Sequence, residues 1–437
     1  MKEIPGDPPA AVAKREILAW AFYDFANSGY TTVVLTTIYS AYFVGVVAAE
    51  IGAASPGMAT LLWTLAIGLS NFVVLLAGPV VGALADYHAS KKRFLLLTTL
   101  CCIAGTAGLA FAGPAQLWLA ITMLVISATA FSLGENLIAA FLPEIATEDN
   151  MGRISGYGWG LGYFGGVLTL ACCLGWIQYA AAAGMPASGY VPVTLLITAV
   201  IFAITATPTF LFLRERARPR PLPPGSSWLH AGFGQVLDTL QHVRRMPDLF
   251  RFLGCLSLFQ AGVSTVVVIA AIFAQEVFGF DSQQLIMLIM VVNLTAAAGA
   301  FGFGHAQDRF GSVPTLAGAL LTWIVAIAVG ATANATGDVW LCGNLIGLAM
   351  GATQAGGRAL IGNLTPQARN GEIFGLWGMA NRAAAIVGPI AYGLLNHLWA
   401  GDHRISLLAP LAFFVAGLLL LFSVNERRGR AAALAAG

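Results

Sequence analysis

The stretch Gly82-Ala-Leu-Ala-Asp86-Tyr-His-Ala-Ser-Lys91-Lys92-Arg93 decides the fold, because its core returns 222 residues later as Gly304-His-Ala-Gln-Asp308-Arg309-Phe-Gly311. In both copies a Gly-x-x-x-Asp motif stands where a long apolar run ends and a short polar loop begins. A period of half the chain marks an internal duplication, and in an apolar chain it implies two equivalent helical bundles. Two further matches keep nearly the same offset. Trp118-Leu119 and Trp340-Leu341 are also 222 apart, and Asn150-Met-Gly-Arg-Ile-Ser-Gly156 resembles Asn370-Gly-Glu-Ile-Phe-Gly375 with one residue deleted.

Composition gives the environment of these bundles. Hydrophobic residues make up 58% of the 437 and charged residues 10%, against about 25% charge in a soluble domain. The 50 glycines fit membrane helices, where glycine is more frequent than in soluble ones. A spanning helix needs about 20 mostly apolar residues. The chain offers twelve such spans, at 17–47, 59–85, 94–112, 116–141, 154–180, 191–213, 249–275, 283–304, 313–334, 339–360, 372–397 and 405–424. The first is too long for a cleavable signal and is expected to stay as an anchor. All six cysteines fall inside spans without metal-ligand spacing and read as small packing residues.

Basic residues set the orientation. With the N-terminus on the cytoplasmic side, all 22 Lys and Arg lie on that side except Arg358 and Arg382, inside spans, and Arg404, outside. The positive-inside rule then puts both termini in the cytoplasm. The predicted organisation is an N-terminal six-helix bundle over 1–213, a cytoplasmic linker over 214–248 and a C-terminal six-helix bundle over 249–437. The linker opens with Arg214, Arg216, Arg218 and Arg220 among prolines, which predicts an extended, solvated segment. From Phe233 to Arg245 the residues Phe233, Val236, Leu237, Leu240 and Val243 share one helical face. That face reads either as an interfacial helix under the bilayer or as part of a simple tether.

The duplicated motif has a mechanical reading. Glycine lets a neighbouring helix approach, and an aspartate at a helix end can accept bonds from the exposed N–H groups of another helix start. The fifth and eleventh spans start on the side where Asp86 and Asp308 lie. Gly82 and Asp86 in one half, with Gly304, Asp308 and Arg309 in the other, are therefore expected to form a cytoplasmic gate. A static turn cap is the plainer alternative.

Charges inside spans point to the solute path. In the first span Asp24, Asn27, Ser28 and Thr31 stand at helical spacing on one face, and such a stripe must face protein or a water-filled cavity. Glu135 in the fourth span and Arg358 in the tenth occupy nearly equivalent repeat positions. They can neutralise each other or present both signs to a zwitterion. Arg382 in the eleventh span, beside Asn381, is a third charge, and Asn293 and Gln260 add uncharged polar groups. Gly158-x-x-x-Gly162-x-x-x-Gly166 and Gly343-x-x-x-Gly347-x-x-x-Gly351 predict close helix contacts. Gly78-Pro79 and Gly388-Pro389 predict kinks. No Gly-x-x-x-x-Gly-Lys loop and no nucleophile–base arrangement occurs, which argues against an ATP-driven pump or an enzyme.

Several of these strings together resemble a known family. The paired Gly-x-x-x-Asp motifs, twelve spans and a basic central linker look like the major facilitator superfamily. Within it, Ala19-Trp-Ala-Phe-Tyr-Asp-Phe-Ala-Asn-Ser-Gly-Tyr30 resembles the first-helix signature of the autophagy-related vacuolar effluxer family and its bacterial relatives. Leu142-Pro-Glu-Ile-Ala146, Gly152-Arg-Ile-Ser-Gly-Tyr-Gly-Trp-Gly-Leu-Gly-Tyr163, Gln354-Ala-Gly-Gly-Arg-Ala-Leu360 and Gly388-Pro389 fit the same family. The resemblance implies a secondary transporter, with amino-acid export the function associated with its eukaryotic branch. One departure is Gln260, where family members often carry an acid before the glycine of the seventh span.

The sequence thus predicts an all-α integral membrane protein of twelve transmembrane helices in two six-helix bundles, the major facilitator fold. It is read as a secondary transporter that moves a small polar solute, an amino acid or similar zwitterion, by alternating access. Asp24 and Glu135 would serve an ammonium group or a proton, and Arg358 or Arg382 a carboxylate. Uptake or efflux of sugars, nucleosides or drugs is the alternative within transport, and a transport-inactive sensor the alternative outside it. The expected partners are a small-molecule substrate, membrane lipid and protons. No cofactor, metal or nucleic acid is expected, and the chain reads as a monomer of the bacterial inner membrane.

Overall fold

The computed structural model describes residues 12–54, 58–114, 116–216, 238–280, 282–399 and 402–435. We number the long helices in chain order. In the first half these are α1 (Lys14–Val47), α2 (Met58–Tyr87), α3 (Lys91–Leu109), α4 (Leu117–Ala139), α5 (Met151–Ala182) and α6 (Ala187–Phe212). The second half has α7 (Pro247–Phe278), α8 (Ser282–Phe310), α9 (Ser312–Thr332), α10 (Thr336–Leu364), α11 (Asn370–Leu398) and α12 (Leu408–Leu421). A final helix, α13 (Glu426–Ala435), follows.

Among the described residues ten helices are long and apolar enough to cross a membrane. The other two of the twelve are α2 and α10. The described side chains of α2 include the apolar run Leu65–Gly78. In α10 the apolar run is diluted by Asn344, Gln354, Arg358 and Asn363. A helix surrounded by other helices can carry such residues, because protein rather than lipid meets them.

The duplication is visible in the packing itself. In the first half α1 packs on α5 and α6, α4 on α2 and α3, and α3 on α6. In the second half α7 packs on α11 and α12, α10 on α8 and α9, and α9 on α12. Each pair of the first list becomes a pair of the second when six is added to both labels. The halves meet along two equivalent seams, α5 against α8 and α2 against α11. Each half has its own apolar core. One runs from Trp20 to Leu213 and the other from Val243 to Ala433, with only Ala359, Ala139 and Ala140 crossing over.

Helix α1 is not uniform. It widens into π-helical turns at Thr31–Thr37 and Phe43–Val47. The first of these is rich in β-branched residues whose hydroxyls bond back to the helix. Thr36 Oγ1 donates to Thr32 O at 2.9 Å and Thr37 Oγ1 to the same carbonyl. Such back-bonding competes with the regular ladder and bends helices.

The glycine stripes lie in close contacts, as their spacing predicts. Gly162 and Gly166 of α5 face Ser28 and Thr32 of α1, and Gly343, Gly347 and Gly351 of α10 face Leu288, Thr295 and Ala296 of α8. The turn after each Gly-x-x-x-Asp copy needs a left-handed residue. Gly311 supplies it after α8 with φ 92°, and at the equivalent place after α2 Ala89 adopts φ 46°.

The described part of the linker packs on the second half. Residues 238–245 are helical, and their apolar side lies against the protein. Val243 is fully buried in the second core, and Thr239 Oγ1 donates to Glu372 Oε2 of α11 at 2.7 Å. Phe233, Val236 and Leu237 lie outside the described residues.

Candidate functional site

All the close contacts described next lie toward one end of the bundles, the end that carries Lys91, Arg153 and Arg216. We call it the basic face. On the α5–α8 seam Asp308 Oδ1 accepts the Gly152 N–H at 2.8 Å and Oδ2 accepts the Arg153 N–H at 3.0 Å. These are the first N–H groups of α5, which have no partner within their own helix and sit at its positive end. Glycines bring the backbones together here. A Cβ on Gly304 would stand 2.7 Å from the Gly152 carbonyl oxygen, and a Cβ on Gly152 2.8 Å from that of Gly304.

The α2–α11 seam repeats the glycine contact. A Cβ on Gly82 would fall on the Gly371 carbonyl at the start of α11. The Asp86 side chain lies outside the described residues. Arg309, expected at the gate, is instead exposed, with its guanidinium over the Phe310 ring at 5.4 Å. A side chain one position on from Asp308 points to a different side of the helix, so the two cannot share the seam.

Deeper in the protein four charges form two ion pairs, and Glu135 and Arg358, whose mutual pairing is one of two readings the sequence leaves open, each take another partner. Arg358 meets Asp24, not Glu135, and Glu135 meets Arg382. The Arg358 Nη1 to Asp24 Oδ2 separation is 2.7 Å, and the two side chains are 3% and 10% exposed. Arg358 also donates from Nε to Ser155 Oγ at 3.2 Å and from Nη2 to Ser155 O at 3.0 Å. Its guanidinium lies over the rings of Trp20 at 4.7 Å and Trp159 at 5.3 Å. Cation–π contacts of this kind contribute roughly 2 kcal/mol when desolvated. Removing one partner of a buried ion pair costs about 3–5 kcal/mol, because the other charge is left uncompensated.

The second pair is wetter. Arg382 Nη2 and Glu135 Oε2 are 3.4 Å apart, with side chains 24% and 30% exposed. Arg382 also donates to Ser132 Oγ at 2.7 Å and to Asn71 Oδ1 at 3.3 Å. Glu135 lies near enough to feel the charges of Asp24 and Arg358 as well. Both acids belong to the first half of the chain and both arginines to the second. Each pair therefore joins the two halves.

The remaining candidates are scattered around this cluster. Asn27 is buried, and Ser28 Oγ donates to Asp24 O at 2.8 Å within α1. Gln354 Nε2 donates to Gln260 Oε1 at 3.4 Å, so Gln260 of α7 pairs with α10. Asn293 donates to Ile289 O of its own helix, and Thr31 is half-buried where the π-helical turn begins. Asn71 and Ser132 carried no sequence signal, and Ser155 and Trp159 stood in the repeated and family strings without a role of their own. A neutral residue in a span is noticed only once a charge stands beside it.

The sequence reading also missed a duplicated clasp on the basic face. Glu16 of α1 accepts from the Arg214 N–H at 3.0 Å and pairs with Arg216, just beyond α6. Asp248 of α7 accepts from the Asn425 N–H at 2.8 Å and pairs with Arg428, just beyond α12. Glu215 accepts from the Lys91 N–H at 2.6 Å at the start of α3, and Glu426 from the Ser312 N–H at 2.8 Å at the start of α9. The members lie at different offsets from one half to the other, which hid the repeat.

Comparison with known proteins agrees with this architecture. The family described as "Vacuole effluxer Atg22 like" matches residues 44–434. The uncharacterized MFS-type transporter YxiO of Bacillus subtilis is 26% identical over 411 residues, covering 93% of this chain and 94% of that protein. Autophagy-related protein 22-1 of Penicillium rubens is 26% identical over 308 residues, 65% of this chain and 51% of that longer protein. In three dimensions the chain is similar to the human organic anion transporter MFSD10, with TM-score 0.72, 16% identity, and coverage of 95% and 100%. It is also similar to the proton:xylose symporter XylE, with TM-score 0.70, 15% identity, and coverage of 95% and 96%. The chain belongs to the Atg22-like effluxer family and is a multi-pass transporter of the major facilitator superfamily.

Proposed function

We propose that this transporter moves an amino acid or a similar zwitterion by alternating access and that its normal direction is export. The observation that carries this reading is the Glu135–Arg382 pair. It is the more accessible of the two interior pairs and offers one carboxylate and one guanidinium side by side. A zwitterion can replace both partners at once, its ammonium on Glu135 and its carboxylate on Arg382, and leave no charge unpaired. A sugar or nucleoside would leave both charges facing a neutral solute. The likeness of the first helix to the vacuolar effluxers supports amino acids and export. The positive-inside rule makes the basic face cytoplasmic, with both termini inside, and the Bacillus relative supports a bacterial cytoplasmic membrane.

A second reading is a proton with an organic anion. Arg382 keeps Asn71 and Ser132 as acceptors if Glu135 takes a proton, so an anion could then bind alone. Flux into proteoliposomes separates the readings. A panel of labelled L-amino acids, a monocarboxylate, xylose and uridine would be tested with and without a pH gradient. The zwitterion reading expects amino-acid flux without a proton requirement. Glu135→Gln and Arg382→Gln should each lower it at least about thirtyfold, the effect of truncating one partner of a hydrogen-bonded charge pair. Wild-type flux in both variants would sink the reading.

A further inference from the structure

We propose that Arg358 is not a solute ligand but the bolt that holds the basic face shut, seated in a socket built by the opposite half of the chain. This rests on alternating access but not on the identity of the solute.

The socket is specific. Arg358 belongs to α10, in the second half, yet Asp24, Trp20, Ser155 and Trp159 all belong to the first half. Gly158 completes it. A Cβ there would stand 2.5 Å from Asp24 Oδ2 and would also fall on Arg358 Nη2. The glycine therefore makes the space in which the ion pair sits. Two indoles cover the guanidinium, and Nε, Nη1 and Nη2 are all engaged. At 3% exposure a solute carboxylate has neither a path to it nor a pair of donors to take. Arg382 has both.

Its depth fits a bolt. Arg358 lies six residues before the end of α10 and Ser155 four residues after the start of α5, or about 9 and 6 Å along helices that rise 1.5 Å per residue. This is the part of the α5 interface that must separate for the basic face to open. The first turns of α5 carry both fastenings, Gly152 and Arg153 on Asp308 and Ser155 on Arg358. Ser155 Oγ in turn donates to Ala355 O of α10 at 2.7 Å. Opening would draw the guanidinium out of its socket in the same motion that frees Asp308.

Amide hydrogen exchange tests this on the full-length protein in lipid nanodiscs with no solute added. Wild type would be compared with Gly158→Ala, Asp24→Asn and Arg358→Lys, each checked for folding by its thermal transition. The bolt predicts at least about tenfold faster exchange at residues 151–160 and 300–308 in each folded variant, as local opening becomes easier. Exchange in α3 and α9 should stay as in wild type. Wild-type exchange at 151–160 in folded Arg358→Lys and Asp24→Asn overturns the proposal, because a solute ligand has no effect when solute is absent. If Gly158→Ala does not fold, the other two variants decide. Failure of wild type to carry any solute of the panel would count against the transport reading and leave this comparison intact.

Discussion

Asp308, near the end of α8, holds the amino end of α5, one carboxylate oxygen on the Gly152 N–H and the other on the Arg153 N–H. A single side chain of the second half thus caps a helix of the first. Asp308→Asn keeps the shape but loses the charge and one acceptor. Hydrogen bonds to charged groups contribute about 1.5–3 kcal/mol, so closure should weaken by roughly tenfold or more. Distances between spin labels at the exposed positions Arg93 and Arg427 would lengthen in the variant. An unchanged distance distribution would mean that Asp308 is only a static cap.

The two interior pairs should respond differently to truncation. Glu135 and Arg382 are each about a quarter to a third exposed, so solvent screens the loss and Glu135→Gln should change stability by less than about 1 kcal/mol. Asp24→Ala strands the buried Arg358 and should cost about 3–5 kcal/mol. Thermal unfolding of the two variants side by side checks the order. Equal losses would contradict the difference in burial.

Ala89 adopts φ 46° where the repeat-equivalent Gly311 has φ 92°. The left-handed region costs a non-glycine residue roughly 1–2 kcal/mol. Ala89→Gly should therefore stabilise the protein by up to about 1 kcal/mol, after the flexibility glycine adds to the unfolded chain is subtracted. An upward shift of up to about 1 °C in the thermal transition is expected. A downward shift would show that the turn tolerates alanine without strain.

The docked linker should loosen in acid. His242 stands in the helical segment near Arg369 and Arg245, with Glu372 accepting from the neighbouring Thr239. Burial first, and then the two guanidinium groups, hold its imidazole below the usual histidine value. A lowered pKa in the docked state means that the undocked segment binds the proton more readily. Docking is therefore at full strength above the ordinary histidine pKa of about 6.5 and declines as pH falls toward the lowered value. Exchange of amides 238–245, corrected for its intrinsic pH dependence, should be faster at pH 5 than at pH 7.5. His242→Asn should remove the difference, and an equal pH response in both proteins would exclude His242 as its source.

The sequence alone determined the environment, the number of helices and the duplication. Those depend on apolar run length, which must match the bilayer, and on motifs repeated at one offset. It also located the α5–α8 fastening, because a Gly-x-x-x-Asp motif and a helix start on the same side leave the carboxylate few other partners. Only the tertiary structure decided which charge meets which. Glu135 and Arg358 stand at nearly the same repeat position, yet Arg358 goes to Asp24 and Arg382 to Glu135. A sequence gives each charge its depth along a helix but not the rotation of that helix. Rotation is set by the close packing of α1, α5 and α10 around glycines such as Gly158. That packing separates an enclosed ion pair from an accessible one.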